Sequence, residues 1–211
     1  VVFFLLSTNV GEILTLVAAL IFGLDLPLTA VMVLWINLVT DGACTVPLGV
    51  EPGHKEILKQ TPRDPKEFII NRVIALRMAL LTPIMAIGTL GLFWYSKENG
   101  GLEYARTIAF TALVAFQWFQ AFNARSTFSS IFSVRPFTNR WVLLGIGIAI
   151  ILQIGVVHSP IGQMLFGTTG LSLGDWSSVI LVASTIWVAD EIFKLLHLYG
   201  SPEKKTRFGK Q

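Results

Sequence analysis

Six long apolar stretches dominate the sequence, at 1–24, 26–50, 73–95, 106–123, 141–158 and 176–199, with nearly all charge confined between them. Each is long enough for about 30 Å of hydrocarbon at roughly 1.5 Å of helix rise per residue. Lipid offers no hydrogen bonds to the backbone, so a spanning segment must satisfy its own amides, which leaves helices or closed barrels. Runs of this length predict an all-α fold, a bundle of six transmembrane helices. Only 14% of residues are charged and mean hydropathy is +0.67, against about 25% charged residues in a soluble domain. The net charge of +3 is too small to argue for a nucleic-acid partner. The expected partner is the lipid bilayer.

The chain opens on Val-Val-Phe-Phe-Leu-Leu, without methionine or a basic n-region. This is not a signal-peptide pattern, and the interior of a longer polypeptide is expected. Lys55, Lys59, Arg63, Lys66 and Arg72 follow the second stretch; Arg125, Arg135 and Arg140 follow the fourth; Lys204, Lys205, Arg207 and Lys210 form the tail. The alternate connections are poor in basic residues, with Asp25 in the first turn and none from 159 to 175. The positive-inside rule then predicts both termini on the cytoplasmic side. The proline-punctuated loop at 51–72 reads equally as a solvated linker or as a docking surface for a cytoplasmic domain.

The second stretch contains Asn37, Thr40 and Asp41. Their i, i+3, i+4 spacing puts them on one face of an α-helix. A carboxylate at mid-bilayer costs about 2.5–3.5 kcal/mol on the mildest scale, so Asp41 points to function. Gly42 and Pro47 predict a loosened helix after Asp41, whose freed carbonyls must line a cavity or be covered by protein. The first stretch carries Asn9 and Glu12, again on one face. Counted from a tight turn at 25–27, Glu12 and Asp41 both lie about 20 Å in, and equal depth is expected. Two carboxylates, amides and a hydroxyl without a basic partner form a set of hard oxygen donors suited to a hard cation such as calcium. The empty pair is expected to hold at least one proton, displaced as the cation enters.

Gln117 reads equally as a ligand or as a hydrogen-bonding group between helices. Arg77 is expected to snorkel to the cytoplasmic face. Lys194 is expected to pair with Asp190 and Glu191. Cys44 reads as a packing residue, and Gln153 as structural. Trp94, Tyr95, Trp141 and Trp176 read as an interfacial belt. An ion-coupled secondary transporter or channel using the same carboxylates, and a membrane scaffold, are the alternatives that the residues leave open.

Asn9-Val-Gly-Glu12, Leu34-Trp-Ile-Asn37-Leu-Val-Thr40-Asp41-Gly42, Pro62-Arg-Asp-Pro-Lys-Glu67 and Trp187-Val-Ala-Asp-Glu-Ile-Phe-Lys194 resemble the C-terminal membrane region of P-type cation-transporting ATPases. The resemblance is strongest to sarcoplasmic-reticulum-type calcium pumps and their prokaryotic relatives. It covers the whole of 1–211, as family helices five to ten. It implies an ATP-driven pump that exports calcium from the cytosol while protons return, with manganese or sodium as alternative cations. A prokaryotic plasma membrane is the expected location. By resemblance, Asn9, Glu12, Thr40 and Asp41 match ligands of a first calcium site, and Asn37 and Asp41 ligands of a second. Gln117 falls where such pumps place a glutamate ligand. The neutral amide implies one calcium per cycle, bound in the site built on Asn37 and Asp41. The resemblance also implies partners outside this sequence, namely the earlier helices and the cytoplasmic domains of the pump. ATP and Mg²⁺ would act only there, since neither Asp-Lys-Thr-Gly-Thr nor Gly-Asp-Gly-x-Asn-Asp occurs here. The chain alone is expected to be catalytically inactive.

Overall fold

A computed structural model describes residues 1–50, 70, 72–125 and 139–200, with side chains as far as 196. The proline-rich part of the 51–72 loop and the basic tail therefore lie outside the described residues. In order, the elements are α1 (Val2–Ile21), α2 (Ala30–Trp35), a π-helical segment (Ile36–Thr40), α3 (Asp41–Gly49), α4 (Arg72–Asn123), α5 (Arg140–His158), α6 (Pro160–Phe166) and α7 (Leu173–Gly200). No strand occurs among the described residues. The expected all-α membrane bundle is what forms.

Among the described residues, four helices are long and apolar enough to cross a membrane: Val2–Ile21, Ala30–Gly49, Arg72–Asn123 and Arg140–His158. The third carries two of the expected spans. Its 52 residues are interrupted at Gly101, where φ is 83° and ψ is −178°. That conformation is essentially open to glycine alone, and it separates arms at 72–100 and 102–123. The sixth expected span is the 28-residue α7, which packs along α4.

Helix ends are set by local chemistry. The Thr29 hydroxyl accepts from the Met32 amide at 3.4 Å and starts α2. Asn139 Oδ1 accepts from the Trp141 and Val142 amides, at 3.0 and 3.3 Å, and starts α5. Ser159 caps α6, with Pro160 in the first turn, where the missing N–H is no loss. The first connection is longer than the tight turn expected, running from 22 to 29. Lys97 binds Asp25 there at 2.5 Å, and Arg106 Nε donates to the Leu26 carbonyl at 3.0 Å. The bond and charge of Lys97 hold the Asp25 carboxyl below the usual carboxylate range.

The core is the 102–123 arm. Every residue from Thr107 to Trp118 is buried, as befits a helix enclosed on all sides. Gly88 lets the two arms and α7 close together, because a methyl there would lie 2.8 Å from Phe116 and 2.9 Å from Val182. Cys44 is fully buried, the packing role expected of it.

The irregular backbone near Asp41 is not where the sequence predicts it. Gly42 and Pro47 lie inside regular α3, while the loosening comes one step earlier, in the π-helical segment. The Asp41 amide reaches back to the Ile36 carbonyl, an i to i−5 bond. Pro47 has no N–H for the Ala43 carbonyl, but α5 covers that oxygen. A methyl on Gly145 would stand 2.1 Å from Ala43 O, so only a glycine permits the approach. This freed carbonyl serves helix packing.

Candidate cation site

Helices α1 and α2–α3 run antiparallel. Asn37 Nδ2 donates to Glu12 Oε2 at 3.1 Å and to the Val33 carbonyl at 2.9 Å. Four residues on, the Asp41 carboxylate faces the side chains of Thr8 and Asn9. Glu12 therefore stands opposite Asn37, and Asp41 opposite the turn of α1 before Glu12. Helical side chains lean toward their own N-terminus. Glu12 leans toward Thr8 and Asp41 toward Asn37, so the two carboxylates lean toward one another.

Glu12 is 4% exposed, Asp41 4%, Thr40 1% and Gln117 2%. Asn9 is half-buried, with its amide also donating to Leu5 O at 2.7 Å. Asn37 is exposed on the surface of this chain. The π-helical turn explains the split between Asn37 and its neighbours. An extra residue per turn rotates Asn37 away from the shared α-face that its spacing with Thr40 and Asp41 predicts.

The register of the 102–123 arm sets the level of Gln117. Gln120 Nε2 donates to Ser7 Oγ at 2.8 Å. One turn back along this arm, which runs antiparallel to α1, puts Gln117 at the level of residues 10 and 11. Glu12 Oε1, Asp41 Oδ1 and Gln117 Oε1 are buried oxygens with no hydrogen-bond partner among the described residues. Thr45, Thr89 and Gln153 also carry such oxygens, so this property alone does not define a site. The distinction is that two of the three oxygens here belong to carboxylates. No group of three His, Cys, Asp or Glu side chains able to hold a metal occurs among the described residues. A cation here needs amide, hydroxyl and carbonyl oxygens beside the two acids, a donor set that calcium accepts and softer metals do not favour.

Two residues stand out that the sequence reading did not single out or misplaced. Thr8 is fully buried beside Asp41; its i−4 spacing from Glu12 was the available signal. Arg77 does not snorkel. It is 1% exposed and forks onto Asp190, with Nη2 to Oδ2 at 2.7 Å. A carboxylate 113 residues away offers it a charged partner inside the bundle. Lys194 binds the same carboxylate at 2.8 Å and Glu191 at 3.4 Å, the pairing expected.

The family described as "Cation transporting ATPase, C-terminus" matches residues 25–196. The chain belongs to that family. This cation-ATPase membrane region is 36% identical over 179 residues to a calcium-transporting ATPase of Bacillus subtilis, covering 84% of the chain and 20% of the relative. It is 32% identical over 206 residues to the mouse calcium-transporting ATPase type 2C member 2, covering 97% and 22%. It is 33% identical over 184 residues to the probable cation-transporting ATPase F of Mycobacterium tuberculosis, covering 87% and 20%. The ATPase region thus spans about a fifth of the length of these relatives.

Proposed function

We propose that this region binds the cation transported by an ATP-driven pump, and that the cation is calcium. The observation that carries the reading is the pairing of Asn37 with Glu12, and of Asp41 with Thr8 and Asn9, across α1 and the π-distorted segment: it puts two buried carboxylates in one polar cluster, each with one oxygen unpaired among the described residues. The relatives' names supply the choice of calcium. Glu12, Asp41, Asn37, Asn9, Thr40 and Gln117 supply oxygen donors, and Thr8 adds a hydroxyl.

An entering divalent ion replaces the proton or protons that keep two adjacent carboxylates compatible with burial. The ion leaves on the far side and protons return in its place. Both termini face the cytoplasm. ATP and Mg²⁺ act in parts of the full-length pump outside this chain. Because Gln117 is neutral, the two acids balance one divalent ion far better than two, so one calcium moves per cycle.

The test uses the full-length pump in sealed vesicles. ATP-driven calcium uptake should be accompanied by alkalinisation of the lumen, and equilibrium binding should give one calcium per pump. Gln117→Glu should raise that number toward two. Two calcium ions bound by the natural sequence would refute the single-ion reading, and uptake of manganese without calcium would refute the choice of cation.

A further inference from the structure

A second polar centre lies one to two turns from the cation site and is joined to it through the core. Arg77, from the first arm of α4, clasps Asp190 of α7 with Nε and Nη2. Its Nη2 also donates to the Asn123 carbonyl at 2.7 Å. That carbonyl ends α4, where helix oxygens lack amide partners and carry partial negative charge. The guanidinium stacks 4.3 Å from the centre of the Phe3 ring on α1. Asn123 Nδ2 donates to Gln120 Oε1 at 3.0 Å and to Ile186 O of α7 at 3.3 Å. Gln120 donates in turn to Ser7 Oγ of α1. Ser7 and Thr8 hydroxyls share one acceptor, the Phe4 carbonyl, each at 3.0 Å. Thr8 faces Asp41.

Helix α1 is thus tied to α4 and α7 at Phe3 and at Ser7. Both ties lie on the turns immediately before Thr8, Asn9 and Glu12. Ser7, Thr8, Gln120, Asn123 and Asp190 are fully buried, and Arg77 and Lys194 are nearly so. A hydrophobic contact tolerates sliding, whereas a bidentate guanidinium–carboxylate fork fixes direction and distance. A buried polar network favours a single arrangement; in this one Asn123 Oδ1 is left without a hydrogen-bond partner among the described residues.

We propose that Arg77 and Asp190 are positioning residues for the cation site: through Asn123, Gln120 and Ser7 they fix the register of α1, and with it the meeting of Glu12 and Asp41. This rests on the reading of Glu12 and Asp41 as cation ligands. The network touches no ligand itself. Its effect is on how closely α1 holds Thr8, Asn9 and Glu12 against Asp41 and Asn37, and so on cation affinity.

The experiment measures equilibrium calcium binding to the full-length pump, normalised to folded protein. Ser7→Ala, Gln120→Leu and Asp190→Asn are compared with Ser7→Thr, which keeps the hydroxyl, and with Asp41→Asn as the site control. Ser7→Ala and Gln120→Leu should weaken calcium binding roughly 3- to 10-fold at unchanged saturating stoichiometry, and Ser7→Thr should restore it. The pair Ser7→Ala/Asp190→Asn should be no weaker than the worse single variant, because both act through one register. If Asp190→Asn does not fold, the Ser7 and Gln120 variants still decide. Natural affinity in these folded variants, with binding lost in Asp41→Asn, would overturn the positioning role and leave the site intact. Unchanged binding in Asp41→Asn would overturn the site reading and the positioning role with it.

Discussion

Gly145→Ala should destabilise the bundle by forcing α5 away from α3. The added methyl would lie 2.1 Å from the Ala43 carbonyl oxygen, 2.8 Å from Pro47 Cγ and 3.2 Å from the Ala43 carbonyl carbon. Ordinary contact needs a little over 3 Å, so the helices must separate by about 1 Å. The nearest obstacles are backbone and a proline ring, neither of which can rotate aside. Overpacking of this kind costs about 1–3 kcal/mol. Replacing a helical glycine by alanine returns up to about 1 kcal/mol, so a control is needed. Gly147 lies on the same helix and a methyl there meets nothing within 4 Å. Gly147→Ala carries the same propensity gain without the clash. The difference between the two variants, measured as unfolding free energy in mixed micelles, should therefore be about 1–3 kcal/mol. Separation would also uncover the Ala43 carbonyl that Pro47 leaves unpaired. Equal stability of the two alanine variants would refute the argument that this carbonyl is covered by α5.

Gly101→Ala should destabilise the α4 hairpin by about 1–3 kcal/mol, since φ of 83° with ψ of −178° is closed to alanine; unfolding in micelles reads it, and an unchanged midpoint contradicts it. Tyr104 donates to Asp175 Oδ1 at 2.5 Å, and this bond pushes the phenol up to about 12 from an ordinary 10.0. A raised value in the folded state stabilises fully below pH 10 and is lost as pH rises toward 12. Natural protein should therefore lose a stability advantage over Tyr104→Phe across that window, and parallel pH curves would contradict this. Thr8→Val keeps side-chain volume but removes the hydroxyl beside Asp41; calcium affinity should fall several-fold while the thermal midpoint changes little, and unaltered affinity would remove Thr8 from the site.

The spans were legible because lipid leaves few choices: apolar runs of this length become helices, and the structure follows them to within a few residues. The local pairing of Lys194 with Asp190 and Glu191 was legible for the same reason, since it depends only on helical spacing. Contacts set by tertiary register were not. Arg77 and Asp190 are 113 residues apart, and nothing in either neighbourhood announces the other. The π-helical turn at Ile36–Thr40 contains neither glycine nor proline, whereas Gly42 and Pro47, which do signal irregularity, sit in regular helix. The sequence placed Glu12 and Asp41 in neighbouring antiparallel helices, but counting from a short turn put them level. The pairs that form are Asn37 with Glu12, and Asp41 with Thr8 and Asn9, a register that the count could not supply.

The central claim is that Glu12 and Asp41 jointly hold the transported cation. Its most direct test is equilibrium calcium binding to the folded full-length pump, natural and carrying Glu12→Gln or Asp41→Asn, over a range of pH. High-affinity binding should be lost in Asp41→Asn and sharply weakened in Glu12→Gln, and in the natural protein it should weaken as pH falls. Undiminished binding in both variants, or affinity indifferent to pH, would contradict the account.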